Sequence, residues 1–349
     1  MKIKNLIRPN ILDLKPYTCA RDIYSTGILL DANENSLGST FSGWDHAELN
    51  RYPDPHQKDL RKMVGEYYSV PADNLFFGVG SDEIIDLLIR IFCRPGKDKV
   101  MIPGPTYGMY KVSSDINAVE TVEVLLDDNF QIDEQVIAAA FDDDVKIIFL
   151  CSPNNPTGEL LKKDDVLNIC KKYNAIIAVD EAYIDFCYEG SLLDEVQNYP
   201  NLVVMRTFSK AWGLAGIRLG YCAANEGIIE YLFKVKAPYN INSLTRFALE
   251  TSIKNSSIKD VYVKVLVKER ERLKNLLESL KGVIKVYDSD ANFILFKCEN
   301  PKEVQKKLAD KGVIIRDRST QPKLEGCLRV SIGTEEENDI FWEAIKKIL

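Results

Sequence analysis

Histidine is nearly absent: only His46 and His56 occur in 349 residues. A metal site built on imidazoles, or a serine nucleophile activated by histidine, has little to draw on. The 8 cysteines are scattered, and no two form a Cys-x-x-Cys pair. They read as reduced, mostly buried thiols of a cytoplasmic protein, not as a disulfide framework. Basic residues are not in excess, since 45 Lys and Arg stand against 52 Asp and Glu for a net charge of −7. That balance argues against a nucleic-acid surface or an acidic-membrane surface, while small anions can still be bound locally. No apolar core follows Met1-Lys2-Ile3-Lys4, as a signal peptide would need. Nor does any apolar run approach the ~18 residues of a membrane helix. There is no Gly-x-x-x-x-Gly-Lys-Ser/Thr element, and Gly78-Val-Gly80-Ser-Asp-Glu83 lacks the third glycine of a dinucleotide loop.

What is present is a hydrophobic fraction of 46%, ample for a packed core. The length calls for one large domain plus a smaller one. Three short, almost wholly apolar segments stand out: Lys146 to Cys151, Ala175 to Val179 and Leu202 to Met205. Strands that are apolar on both faces, separated by helical patterns such as Lys163 to Tyr173, predict an α/β fold with a mainly parallel sheet flanked by helices. Another strand is expected at Leu75 to Val79, leading into a helix from Asp82 to Phe92. Beyond a helical pattern from Ile258 to Leu280, the elements change character. Strands at Val283 to Val286, Ala291 to Lys297, Val313 to Ile315 and Cys327 to Ile332 alternate with helices at Pro301 to Lys311 and Glu335 to Leu349. This predicts a smaller α+β domain, with a boundary near residue 245.

Right-handed crossovers place the loops after parallel strands on one edge of the sheet. After Cys151 comes Ser152-Pro-Asn-Asn155-Pro-Thr-Gly158, after Val179 comes Asp180-Glu-Ala-Tyr183, and after Met205 comes Arg206-Thr-Phe-Ser209-Lys210, followed by Gly213, Gly216 and Arg218. Singly these have bland explanations: Asn155 as a turn former, Asp180 as a cap, Lys210 as a surface lysine. Together, in this order and each at a strand end, they suit a pyridine cofactor held as an imine. A buried carboxylate, Asp180, would keep the ring nitrogen protonated and make the ring an electron sink. Asn155 and Tyr183 would hydrogen-bond its phenolic oxygen. Lys210 would carry the cofactor and move the proton. Ser209, Arg218 and the backbone amides of Gly80, Ser81 and Asp82 at a helix start would hold its phosphate.

These motifs resemble those of fold-type-I aminotransferases. More narrowly, the chain resembles the histidinol-phosphate aminotransferase family. The resemblance rests on the segments above and on Thr207-Phe-Ser-Lys-Ala-Trp-Gly-Leu-Ala-Gly-Ile-Arg-Leu-Gly-Tyr221, and it spans nearly the whole chain. Further matches are Leu30-Asp-Ala-Asn-Glu-Asn35, Asn50-Arg-Tyr-Pro-Asp54, Pro105-Thr-Tyr-Gly-Met-Tyr110 and Gly326-Cys-Leu-Arg329. The resemblance implies pyridoxal 5'-phosphate as cofactor and a homodimer. It implies a large domain of about residues 36–244, with a small domain formed by both chain ends, 1–35 and 245–349. It also implies that Tyr107 stacks on the cofactor ring and that Tyr52 reaches the phosphate in the partner subunit's site. Two positions depart from the family pattern: Ser36, where a proline is frequent, and Ala237-Pro-Tyr239-Asn240, where a second proline occurs in other members.

The reaction implied is amino transfer between L-histidinol phosphate and 2-oxoglutarate. One substrate brings a phosphate and the other two carboxylates, so a forked guanidinium that accepts either anion is required. Arg329, on an apolar strand, and Arg316 are the candidates, with Tyr17 and Tyr239 as lesser ones. An aromatic amino acid aminotransferase and a lyase resembling threonine-phosphate decarboxylase are the alternatives.

Overall fold

The computed structural model describes residues 3–12 and 49–349. Tyr17, Ser36, His46 and the segment Leu30 to Asn35 therefore lie outside the described residues. The large sheet has 7 strands: β1 Leu75–Val79, β2 Lys99–Gly104, β3 Glu120–Leu125, β4 Val145–Cys151, β5 Ile176–Asp180, β6 Leu202–Thr207 and β7 Leu219–Ala224, in the order β1-β7-β6-β5-β4-β2-β3. All neighbours from β3 to β6 pair in parallel, and β7 alone runs against the rest. The expected mainly parallel sheet is thus observed.

Alternate residues of the central strands fall into different cores, which is why these segments read as continuous apolar runs. Ile177 and Val179 of β5 join one cluster with Ile148, Leu150, Val204 and Leu202. Ile176 and Ala178 join the other, with Ile147, Phe149, Val203 and Met205. Helices cover both faces. In chain order they are α1 Pro9–Leu12, α2 Lys58–Tyr68, α3 Ser81–Phe92, α4 Met109–Ile116, α5 Glu134–Ala140, α6 Lys163–Lys172, α7 Glu226–Val235 and α8 Ser243–Lys254. Val166, Ile169 and Cys170 of α6 seal the first cluster, and Ile84, Ile85 and Leu88 of α3 seal the second.

A second sheet is antiparallel throughout: β8 Val283–Val286, β9 Phe293–Cys298, β10 Arg316–Asp317 and β11 Cys327–Ser331, in the order β10-β11-β9-β8. It packs with α9 Ser256–Glu278, α10 Pro301–Ala309 and α11 Glu335–Ile345 around Leu273, Leu277, Phe296, Leu308, Leu328 and Phe341. The start of α11 is fixed by a capping box between Thr334 and Glu337. The strand expected at Val313 to Ile315 is displaced to Arg316–Asp317. Ile315 is buried in the small-domain core and Val313 packs against it, while Ile314 is 79% exposed, but the triplet itself joins no strand ladder. The division expected at 245 also shifts. Leu249 of α8 is buried in the first cluster of the large sheet, and Thr245 Oγ1 donates to the Ile217 carbonyl at 2.9 Å. At the other chain end, Leu6, Ile7 and Ile11 bury against α3 in the second cluster, not in the small domain.

Candidate active site

The carboxyl ends of β4, β5 and β6 open into a cavity of about 550 Å³. It is bounded on one side by the start of α3 and on the other by β10 and β11 of the small sheet. Of the residues named from the sequence, Gly80, Ser81, Asp82, Tyr107, Asn155, Asp180, Tyr183, Ser209, Lys210, Arg218, Arg316 and Arg329 line it together.

Asp180 ends β5 and is 3% exposed. One carboxylate oxygen accepts the Tyr110 hydroxyl at 2.9 Å and the other accepts the Ala182 amide at 3.0 Å. Burial raises its pKa to about 6, against the opposing effect of those two donors. Its neighbour Glu181 fixes the turn: it forms a buried ion pair with Arg206 at 2.8 Å and accepts the Leu192 amide at 2.6 Å. Beside this turn, Asn155 Nδ2 donates to the Tyr183 hydroxyl at 3.3 Å, and Arg329 donates to the Asn155 side-chain oxygen. The preceding residue, Asn154, bonds Thr106 at 2.7 Å and the Pro105 carbonyl at 2.9 Å. The loop of Asn155 and the loop of Tyr107 are thereby fastened to each other.

Lys210 is exposed to the cavity, with its ammonium 5.6 Å from the Tyr183 ring centroid. Partial burial, then the positive charge of Arg329, hold its pKa below the ordinary lysine value. Across the cavity, Gly80 precedes α3 with φ of 76°. A Cβ there would stand 2.7 Å from Arg218 Nη2, so only glycine admits both the left-handed backbone and the guanidinium. The free amides at the start of α3, the Arg218 side chain and the hydroxyls of Ser209 and Thr207, which bond each other at 3.0 Å, make a cup of phosphate-binding donors. The Asp82 carboxylate accepts the Tyr107 hydroxyl at 3.1 Å and lies 3.8 Å from Arg218, so only its backbone amide suits an anion.

Arg316 and Arg329 face each other in the register of β10 and β11. Arg318, not among the candidates named from the sequence, lines the same cavity. The buried Nε atoms of both Arg318 and Arg329 lack hydrogen-bond partners. Burial, and then a neighbouring arginine, lower the pKa of each. Three guanidiniums converge there, and this concentration of positive charge suits an anionic group. Tyr52 and Tyr239 do not line this cavity. They stack on each other, with centroids 4.5 Å apart and planes at 14°, and Tyr52 is 50% exposed.

The donor set fits a phosphorylated pyridine aldehyde: a buried carboxylate, a paired amide and phenol, an amine and an anion cup within one cavity. A profile of the family described as aminotransferase class I and II matches residues 29–345. The chain belongs to this family. It is 46% identical over 346 residues to a histidinol-phosphate aminotransferase of Cytophaga hutchinsonii, covering 99% of this chain and 98% of that protein. The fold matches the crystal structure of the histidinol-phosphate aminotransferase from Clostridium acetobutylicum with a TM-score of 0.79 and 28% identity, over 86% of this chain and 91% of that one. It also matches the histidinol-phosphate aminotransferase of Sinorhizobium meliloti, solved in complex with pyridoxal 5'-phosphate, with a TM-score of 0.78 and 21% identity, over 86% and 84% of the two chains.

Proposed function

We propose that this aminotransferase uses pyridoxal 5'-phosphate to exchange the amino group of L-histidinol phosphate with 2-oxoglutarate. The products are imidazole-acetol phosphate and L-glutamate, a step of histidine biosynthesis. The observation that carries the reading is the cavity itself, which sets a buried carboxylate and a lysine against three arginines.

Bound there, the cofactor supplies an electron sink for charge developing at the substrate carbon that bears the amine. Asp180 would hold the ring nitrogen and keep its proton in place. Asn155 and Tyr183 would donate to the phenolic oxygen, and Tyr107 would pack against the ring. The Ser209 hydroxyl, Arg218 and the amides of Ser81 and Asp82 beyond Gly80 grip the phosphate. Lys210 would carry the cofactor and, once the substrate amine has displaced it, its freed Nζ would take the proton from the substrate carbon bearing the amine. Its lowered pKa helps, because a base must be unprotonated to act. Arg329 and Arg316, with Arg318 beside them, receive the substrate's phosphate or the distal carboxylate of glutamate. Planar forked donors can bind either group.

The same reading makes the molecule a cytoplasmic homodimer in which Tyr52 serves the partner subunit's site. Its exposure and its absence from its own chain's cavity support the placing of Tyr52. On core contacts the large domain takes in residues 3–12 and α8, with the small domain built on the residues from α9 onward. The test is a half-reaction: histidinol phosphate alone should bleach the visible band of the loaded enzyme, and 2-oxoglutarate should restore it. An unchanged spectrum, with carbon dioxide released from threonine phosphate instead, would reassign the chain to the lyases.

A further inference from the structure

Tyr110 is fully buried in α4 and is not among the residues lining the active-site cavity, yet its hydroxyl reaches Asp180. Its ring stacks on Phe149 of β4, with centroids 4.8 Å apart and planes at 1°, and meets the Tyr107 ring edge-on at 5.5 Å. Two ring contacts thus fix the ring, and a fixed ring fixes where its hydroxyl oxygen sits. That O–H donates to Asp180 Oδ2 at 2.9 Å. The Ala182 amide holds the other oxygen, so each carboxylate oxygen has one protein donor and keeps lone-pair capacity for a further partner. A carboxylate this buried, with Asp82 adding negative charge nearby, needs such donors to stay ionised and oriented.

We propose that Tyr110 is a positioning residue that sets the Asp180 carboxylate for the cofactor's ring nitrogen. The proposal rests on the reading that Asp180 faces that nitrogen. The segment from Tyr107 to Tyr110 then has two linked tasks, one ring against the cofactor face and the next beneath its acidic partner. Tyr110 touches neither substrate nor cofactor, so its effect has to pass through Asp180.

The decisive measurement is cofactor affinity of the stripped enzyme, using pyridoxal 5'-phosphate and its 1-deaza analogue, in which a C–H replaces the ring nitrogen. Wild-type protein should prefer the natural cofactor. Tyr110→Phe keeps the stacked ring and removes only the hydroxyl. It should weaken pyridoxal 5'-phosphate by about tenfold, the scale of one charge-assisted hydrogen bond, while leaving the deaza analogue within about twofold. In an Asp180→Asn background the same change should have little further effect, because residues acting as a unit are non-additive. Replacing Tyr110 by 4-aminophenylalanine, which restores a donor on the same ring, should recover most of the preference. Equal weakening of both ligands, an undiminished effect without Asp180, or no recovery with the amino variant would each overturn the proposal and leave a packing role. Equal binding of both ligands by wild-type protein would overturn the assignment of Asp180 and, with it, that of Tyr110.

Discussion

Arg318 has half-buried charge, no partner for its buried Nε, and arginines on either side in the cavity. Replacing it with alanine should move stability and substrate affinity in opposite directions. In substrate-free protein the change removes a partly desolvated cation and relieves its repulsion with Arg316 and Arg329, against some lost packing of its stem. The melting temperature should stay unchanged or rise by up to about 2 °C. With substrate the sign reverses. A guanidinium bonded to phosphate contributes about 1.5–3 kcal/mol, so kcat/KM for histidinol phosphate should fall by roughly tenfold to a hundredfold. Histidinol, which lacks the phosphate, should lose less than about twofold. Arg318→Lys should recover only part, since an ammonium supplies charge without the fork. The assay is the spectroscopic half-reaction on both substrates, beside thermal melts of the same preparations. Equal losses on phosphorylated and unphosphorylated substrate, or a melting temperature lowered by several degrees, would show that Arg318 holds the fold and not the phosphate.

Other outcomes are expected at the core of the site. Lys210→Ala should abolish turnover in a folded protein, and borohydride reduction followed by mass analysis should place the pyridoxyl group of the wild type on Lys210 alone. Asp180→Asn should reduce kcat by well over tenfold, more than about 1.4 kcal/mol at the transition state; a smaller loss would contradict its role. In cofactor-free protein, Asp180 has its pKa raised by burial from 3.8 to about 6. A carboxyl raised in this way contributes stability fully below the unfolded value and loses it as pH rises through the folded one. Between pH 4 and 7 the wild type should therefore lose on the order of 2–3 kcal/mol more than Asp180→Asn in denaturant titrations, and parallel profiles would refute this. Mixing Lys210→Ala with a Tyr52→Ala variant, each inactive alone, should restore activity in mixed dimers, about half of the assemblies after random exchange. No recovery between folded, exchanging subunits would remove Tyr52 from the partner subunit's site.

The central sheet was legible because β4, β5 and β6 are buried on both faces, and short apolar runs recurring between helical patterns fit core strands of a mainly parallel sheet. Leu75–Val79 and Ser81–Phe92 were legible from a strand pattern meeting glycine and then a helical one. β2, β3 and β7 were not named as strands. Lys99–Gly104 contains Pro103 and ends in Gly104, which read as turn residues. Leu219–Ala224 begins inside the lysine motif, which ends at Tyr221, where residues draw attention as chemistry and not as sheet. In fact β7 is structural to the site: Gly220 lets it pass so close to the start of α3 that a Cβ would stand 2.5 Å from the Ser81 nitrogen. The domain boundary was least legible, because α8 has the same amphipathic pattern whichever sheet it packs against, and only contact with Ile217 and the first core decides it.

Within the site, legibility followed distance along the chain. Asp180, Lys210 and Asn155 could be placed because each follows its own strand directly, and strand direction in a parallel sheet fixes the edge on which they meet. The arginines depend on how a second sheet docks on the first, which no local pattern encodes. Arg329 was singled out for its apolar flanks, and that reason holds, since Leu328 and Val330 are buried in the small-domain core. Arg318 gives no such signal: it follows the two-residue strand β10 and continues toward Ser319 in a polar run. Its inward direction follows from Arg316 pairing opposite Arg329, which leaves residue 318 on the same face by the two-residue period of extended chain. Tyr110 shows the complementary limit. Its spacing from Tyr107 puts both near the start of one helix, but that its hydroxyl meets Asp180, 70 positions away, follows only once β4 has placed Phe149 beneath its ring. A side chain that acts through another is invisible to a search for chemistry-bearing motifs, because its partner and not its own residue type carries the chemistry.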